Sequence, residues 1–131
     1  MKKISRERFE WLKQKHYELW DWLSKNPDKR SDDWFKLDEN KGLKIRENCF
    51  ACQFHEEVVA GGIRRRPCEY CPICHRSWSE ECLNGLCKKY YMAWLGYMRE
   101  KTRYHYDRAV EFAQEIRDIS WSEEFVEDEE N

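Results

Sequence analysis

The sequence has no long apolar run, and this absence excludes several classes of protein. Residues 1–9 carry positive charge but lack the apolar segment of a secretory signal. No later stretch approaches the length of a transmembrane helix. We therefore expect a soluble protein of the cytoplasm.

The sequence also lacks a large net charge, because 24 Lys and Arg nearly balance 26 Asp and Glu, which leaves a formal net charge of -2. No strong overall field therefore attracts the protein to nucleic acid or to a membrane. The distribution is uneven, since residues 41–108 carry 13 basic and 8 acidic side chains, whereas residues 109–131 carry 1 and 9. Self-repulsion predicts a largely disordered acidic tail over residues 122–131.

The usual catalytic signatures are missing as well. The sequence contains no Gly-rich phosphate loop, no G-x-S-x-G and no helical H-E-x-x-H. His16 and His105 fall on apolar helix faces, where a hydrogen-bonded core histidine is the commoner explanation. We therefore predict that the protein is not an enzyme.

One short motif does match an enzyme signature, because H-x-E at residues 55–57 and P-C-x-x-C at residues 67–71 are the two halves of the zinc deaminase motif. Ten residues separate its glutamate from its first cysteine, fewer than a crossover to the next helix takes. Gly61-Gly62 would also end the first helix early. A deaminase-like hydrolase is therefore a distant third alternative, and we expect His55 at a hairpin edge beside two solvated glutamates.

The length of 131 residues suits one modest domain, which we assign to residues 1–121. Seven Trp, seven Tyr and six Phe supply the contact area that a small core needs. We favour core filling over a dedicated aromatic binding surface for most of these side chains.

Hydrophobic periodicity predicts helices on both sides of the chain's centre. An amphipathic helix covers about residues 5–25 and ends before Pro27. A short helix capped by Ser31 follows, and a turn at Asn40-Lys41-Gly42 closes it. The last pattern runs from Leu86 to Ile119, as one long helix or as two.

Residues 57–66 predict a β-hairpin between the two halves of the chain. Residues 57–60 and 63–66 read as short strands, and Gly61-Gly62 suits the turn because both positions can adopt positive φ. Such a hairpin would fold the cysteines before it onto those after it.

Two C-x-x-C pairs flank the hairpin with the spacing C-x2-C-x15-C-x2-C, which is typical of four-cysteine zinc sites. Seven cysteines in a reducing compartment also favour metal ligands over disulfides. A tetrahedral site closed by four thiolates supplies folding energy and no catalysis. We therefore predict a zinc module over about residues 48–75, with one structural zinc ion held by Cys49, Cys52, Cys68 and Cys71.

Further cysteines leave the ligand register open. Cys74 could replace either member of the second pair, or it could join His75, Cys82 and Cys87 in a second zinc site. Small buried thiols are the other explanation of these residues. An iron–sulfur cluster is less suited, because the next cysteine after Cys74 comes too late for a ferredoxin ligand run.

Arg64, Arg65 and Arg66 form the densest basic run in the chain. They could bind phosphates, with Tyr70 or Trp78 as a stacking face. We favour a solvated hairpin edge, because charges on an edge strand prevent aggregation.

Several short motifs follow one another along the chain: Asn26-Pro27, Asp33-Trp34-Phe35, Cys49-Phe50-x-Cys52, Cys68-x-x-Cys71-Pro72, Trp78, Cys82 and Tyr91-x-x-Trp94. In this order they resemble small cysteine-rich proteins encoded by tailed phages of Gram-positive bacteria. The resemblance covers roughly residues 15–95, and it implies a zinc-binding phage accessory protein in the cytoplasm of the host cell. Cys74, Cys87 and the acidic end depart from the family pattern.

Taken together, these features favour a fold that is mainly α with a small zinc-bound β-hairpin. The expected function is a non-enzymatic module that binds and modulates a host protein or defence enzyme, because the charge is near neutral and tryptophan is abundant. The alternative is a nucleic-acid-binding zinc protein that uses the Arg64–Arg66 face, whose affinity would fall steeply with salt.

Overall fold

A computed structural model describes residues 3–43, 49–59 and 86–128. These ranges are mainly helical, as the sequence predicts, and contain β-structure only as one isolated bridge. Within them, no helix combines the length and apolarity needed to cross a bilayer. The helices are α1 (Arg6–Lys25), α2 (Ser31–Phe35), α3 (Phe50–Val59), α4 (Leu86–Glu100) and α5 (Arg103–Arg117).

The chain divides into two compact units. The described part of the first unit comprises residues 3–16, 49–59 and 120–128, and that of the second comprises residues 17–43 and 86–119. Each unit therefore depends on contacts between segments that are distant in sequence. The single domain expected from the length stays a prediction.

Helix α1 has the boundaries that its sequence predicts to within one residue. The Ser5 hydroxyl accepts a hydrogen bond from the backbone N–H of Arg8 at 3.2 Å, which satisfies one donor of the first turn. At the other end the Asn26 side chain donates to the carbonyl of Trp22 at 2.9 Å, and Pro27 follows. The buried positions recur at helical spacing: Phe9, Leu12, His16, Leu19 and Leu23.

An aromatic cluster forms the core of the first unit. Phe9, Phe54 and Trp121 pack edge to face, with ring centroids 6.0 to 6.3 Å apart. His16 lies 5.3 Å from Trp121 and is buried, so the sequence correctly assigned it to the core. Each such ring pair stabilises the fold by about 0.5–1.5 kcal/mol beyond the burial of its area. Because the three rings come from α1, α3 and the segment after α5, one cluster joins three distant segments.

Helix α3 replaces the first strand of the predicted hairpin, and that prediction is wrong over residues 57–59. The reason is the apolar stripe of Phe50, Phe54 and Val58, which recurs every four residues and is buried along its whole length. Burial of this stripe overrides the β-propensity of Val58-Val59. Residues 60–66, the rest of the expected hairpin, lie outside the described residues.

The residues around His55 are also placed differently from the prediction. His55 is buried in α3, at 4% exposure, and is not at a hairpin edge. Glu57 is not simply solvated, because its carboxylate accepts two hydrogen bonds from the Arg8 guanidinium at 2.8 and 2.9 Å. The Gln53 amide donates to the same carboxylate at 2.9 Å. Glu57 therefore ties α3 to the first turns of α1.

Part of the acidic end is packed against Ile4, although its charge predicts disorder over residues 122–131. Ile4 and Val126 form a parallel β-bridge and are both buried. The Ile4 N–H donates to the Phe125 carbonyl at 2.9 Å, and the Glu127 N–H donates to the Ile4 carbonyl at 2.8 Å. Self-repulsion does not prevent this docking, because one apolar side chain and two backbone hydrogen bonds anchor the segment.

In the second unit the loop after α1 is bound to α4 by two aromatic side chains. The Tyr90 hydroxyl donates to the Lys29 carbonyl at 2.9 Å, and the Trp94 indole donates to the Asp28 carbonyl at 3.1 Å. Burial raises the pKa of Tyr90 well above its ordinary value, so the hydroxyl remains a donor even where an exposed tyrosine would ionise. These bonds satisfy carbonyls that no helix pairs.

Asp21 links α1 to α5 within the same unit. Its carboxylate accepts from Lys25 at 2.9 Å and from Arg117 at 2.9 Å. The hydrogen bond from Lys25 is the main reason that the pKa of Asp21 lies below its ordinary value, and Arg117 adds to it. The resulting stabilisation is present at neutral pH and is lost as the pH falls through the lowered pKa. Because the groups are partly exposed, each pair contributes about 1 kcal/mol or less.

The N-cap of helix α2 lies one residue earlier than the sequence predicts. Arg30, and not Ser31, is the N-cap residue, and Ser31 is the first helical residue. The Arg30 N–H donates to the Asp33 carboxylate at 2.9 Å, so the acid in the first turn takes over the capping role. The turn predicted at Gly42 is confirmed, with a φ of 94° at the glycine.

Replacing Phe54 with Ala tests the aromatic core. We expect Phe54→Ala to lower the free energy of unfolding by about 3–5 kcal/mol, because it removes a fully buried ring from the cluster. Tyr104→Ala, at a 68% exposed tyrosine, is the control and should change it by about 0.5 kcal/mol or less. Urea denaturation followed by tryptophan fluorescence measures both, and equal losses would contradict the assignment of the core.

Candidate functional site

The first predicted cysteine pair lies at the start of α3. Cys49 immediately precedes the helix and Cys52 is in its first turn, and the backbone N–H of Cys52 donates to the Cys49 sulfur at 3.3 Å. Both side chains are partly exposed. The positive end of a helix favours negative charge, and zinc binds the thiolate form of cysteine. This half of the predicted site therefore offers two sulfurs where thiolates are favoured.

Most of the remaining predicted site residues lie outside the described residues, and Cys87 is the exception. Among residues 3–43, 49–59 and 86–128, no three His, Cys, Asp or Glu side chains converge in a way that could hold a metal ion. Cys87 is in the first turn of α4, in the second unit. The zinc site stays a prediction, as does the basic patch. The predicted site residues that lie outside the described ranges are Arg64, Arg65, Arg66, Cys68, Tyr70, Cys71, Cys74, His75, Trp78 and Cys82.

The periodic segment from Leu86 onward forms two helices joined by Lys101-Thr102. Lys101 has a φ of 54°, which a continuing helix does not allow, and its N–H donates to the Tyr97 carbonyl at 2.7 Å. The Thr102 hydroxyl then accepts from the His105 N–H at 3.4 Å and caps α5. So short a connection places α4 and α5 side by side and antiparallel.

Gly96 of α4 is in close contact with His105 of α5. A Cβ atom at this position would lie 2.5 to 2.8 Å from atoms of the His105 ring, closer than such atoms can approach. The apolar face of the helical pattern predicted a core histidine at position 105, whereas this ring is partly exposed and lies 3.1 Å from the Glu100 carboxylate. Three alanines of the same two helices are buried: Ala93, Ala109 and Ala113.

A groove of about 530 Å³ lies between α4 and α5, and we call it the α4–α5 groove. Two of its apolar side chains are strongly exposed, since Met92 is 55% and Tyr104 is 68% accessible. These two side chains leave apolar surface accessible within one groove, where a partner could cover it. The lining residues are Lys88, Lys89, Met92, Ala93, Tyr104, His105, Arg108 and Phe112.

The rim of the groove is basic. Lys88 and Lys89 lie in the first turn of α4, and no acidic side chain is among the described residues that line the groove. The Arg108 guanidinium lies over the Phe112 ring, 4.5 Å from its centroid, and pairs with Glu111 at 2.7 Å. Chemically, the site can bury apolar groups on its floor and attract anionic groups at its edge.

The sequence does not predict this groove. Its aromatic residues were expected chiefly in the core, which is correct for Phe9, Phe54 and Trp121 but not for Tyr104. The signal available was the stripe of Tyr104, Arg108 and Phe112 at helical spacing, although pattern alone does not distinguish a groove wall from a core face.

Comparison of the chain with protein-family models, with curated proteins and with solved structures finds no match. The resemblance to phage proteins therefore stays an expectation from the sequence motifs. The cysteine pair and the α4–α5 groove are the two features of the described residues that bear on function.

A substitution at Gly96 tests the close approach that shapes the groove. We expect Gly96→Ala to destabilise the protein by about 1–3 kcal/mol, because the new methyl group overlaps the His105 ring. In a His105→Ala background the same change should instead stabilise by up to about 1 kcal/mol, since Ala is the better helix former. Thermal unfolding of the wild type, the two single variants and the double variant measures these changes in stability. An equal effect of Gly96→Ala in both backgrounds would contradict the contact with His105.

Proposed function

We propose that this chain is a small non-enzymatic protein-binding module that uses the α4–α5 groove as its binding surface. The observation that carries the proposal is that Met92 and Tyr104 are both strongly exposed and both line the same groove. Buried apolar anchors surrounded by a polar rim are the usual anatomy of a protein interface. No nucleophile, base and orienting group are brought together among the described residues of the groove, so binding describes it better than catalysis does.

The same proposal includes one structural zinc ion held by Cys49, Cys52, Cys68 and Cys71. It is supported by the hydrogen bond from the Cys52 N–H to the Cys49 sulfur at the start of α3. A closed four-thiolate site adds folding free energy, which suits a chain of this size. Zinc would thus stabilise the module without taking part in its binding.

The cellular role is proposed from the sequence resemblance alone. A phage accessory factor would bind and modulate a protein or defence enzyme in the cytoplasm of its host. The groove is compatible with that role, because a partner could bury its exposed apolar side chains.

A nucleic-acid-binding zinc protein that uses Arg64, Arg65 and Arg66 is the second candidate. Six to ten phosphate contacts would lower its affinity by about 10³–10⁵ between 50 and 200 mM salt. The apolar floor of the α4–α5 groove favours the protein partner. A deaminase-like hydrolase is the least supported, because Glu57 of its motif is already engaged by Arg8.

The zinc proposal predicts a specific effect of two substitutions. Protein purified under reducing conditions should contain one zinc per chain, and Cys49→Ser or Cys52→Ser should each reduce that content several-fold and lower the melting temperature, because a closed site tolerates no missing ligand. Cys87→Ser is the matched control and should retain the zinc. Elemental analysis measures the outcome, and metal-free wild-type protein would contradict the proposal. Two zinc ions per chain in the wild type, one of which is lost in Cys87→Ser, would instead indicate the second site.

The binding proposal predicts that the binding of a host partner depends on Met92. From a lysate of a Gram-positive host, the full chain should retain a protein that Met92→Gln fails to retain, because glutamine has a similar size but loses favourable burial. Lys36→Gln, on another exposed surface, is the control. Capture should be unaffected by nuclease, whereas loss of capture after nuclease treatment would support the nucleic-acid alternative.

A further inference from the structure

We propose that Arg8 and Trp11 of α1 position the first two cysteines of the zinc site, so that the affinity for zinc depends on side chains that do not bind the ion. This inference rests on the proposed structural zinc and adds the positioning residues of its site. It follows from two contacts within the first unit, which we call the α1–α3 clamp: Trp11 with Phe50, and Arg8 with Glu57.

The first contact of the clamp holds the start of α3. The Trp11 ring packs edge to face against the Phe50 ring, with the two centroids 6.0 Å apart, and Phe50 is buried. Phe50 is the first residue of the helix and directly follows Cys49 in the sequence. Edge-to-face packing favours one arrangement of the two rings. This contact therefore restrains the backbone beside the first cysteine.

The second contact of the clamp holds α3 near its other end. The Arg8 guanidinium donates two hydrogen bonds to the Glu57 carboxylate, at 2.8 and 2.9 Å, and such a bidentate pair fixes orientation as well as distance. The Gln53 amide donates to the same carboxylate at 2.9 Å. The Arg8 Cζ atom also lies 4.6 Å from the centroid of the Trp11 ring. The two contacts therefore support each other through this cation–π interaction.

Two attachment points on one face fix the rotation of α3. Phe50 and Glu57 are separated by two helical turns, which is about 10 Å along the axis, and they lie on the same face of the helix. A helix held at both points does not turn about its own axis or tilt away from α1. Cys49 and Cys52 lie outside this face and are partly exposed. The clamp therefore sets the direction in which α3 presents the cysteine pair.

The cysteine pair is itself fixed to the backbone of α3. The Cys49 carbonyl accepts the N–H of Gln53 at 2.9 Å, and the Cys49 sulfur accepts the N–H of Cys52 at 3.3 Å. Cys49 therefore has the hydrogen bonds of an N-cap residue, with sulfur in the place of the usual capping oxygen. Because both cysteines follow the helix backbone, a restraint on the orientation of α3 is also a restraint on the two sulfurs.

This orientation affects zinc affinity because a tetrahedral site joins two cysteine pairs. Each pair supplies two of the four sulfurs, and the geometry is correct only when the pairs meet at the required angle. Residues beyond the ligands that hold them in place typically change metal affinity by about 10–100-fold when they are replaced. Arg8 and Trp11 have this supporting position relative to Cys49 and Cys52.

The test measures the affinity of the full chain for Zn²⁺ by competition with a chelating dye. The clamp variants are Trp11→Ala and Arg8→Gln, and the conservative variants are Trp11→Phe and Arg8→Lys. Val126→Ala is the control for stability, because it removes buried apolar atoms elsewhere in the same unit. Arg103→Gln is the control for charge, because this arginine pairs with Asp107 in the second unit. Circular dichroism verifies that each variant is folded.

We expect Trp11→Ala and Arg8→Gln to weaken zinc binding by about tenfold or more, and both controls to leave it within about twofold. Trp11→Phe should recover most of the affinity, because phenylalanine keeps an aromatic ring against Phe50. Arg8→Lys should recover little, because an ammonium group does not replace the bidentate pair. The visible absorption of Co²⁺ bound in place of zinc reports the ligand geometry, and it should change in the clamp variants but not in Val126→Ala.

Three outcomes would overturn the inference. Unchanged zinc affinity in Trp11→Ala and Arg8→Gln would show that the clamp does not position the cysteines, while the proposed structural zinc would stand. An equal loss of affinity in Val126→Ala would show that zinc binding follows overall stability and not the clamp. A wild-type protein that binds no zinc would refute the metal site and the inference together. If Trp11→Ala does not fold, Arg8→Gln decides the question by the same criteria.

Discussion

The contact of Gly96 in α4 with His105 in α5 is the constraint on which the α4–α5 groove depends. Because Gly96 has no Cβ, the His105 ring occupies the space that a side chain at position 96 would need. His105 also lines the groove, together with the buried Ala93. A larger residue at position 96 would therefore displace the ring and change the shape of the groove.

The first unit depends on a different interaction, the edge-to-face packing of Phe9, Phe54 and Trp121. These rings come from three segments that are distant in sequence, so one cluster joins all three. Cys52 lies two residues before Phe54 on the same helix. Burial of the apolar face of α3 thereby sets where the helix presents Cys49 and Cys52, the two cysteines of the proposed zinc site that lie among the described residues.

The sequence by itself determined the helical class, the extent of α1, the core position of His16 and the turn at Gly42, because each depends on periodicity, capping or a φ requirement within a few residues. Only the tertiary structure decided that residues 57–59 are helical, because burial of the α3 stripe outweighs the local β-propensity of two valines. It also decided the docking of Val126 on Ile4 and the groove beside Met92. These features join residues far apart in the chain, and local sequence patterns do not encode which distant surfaces meet.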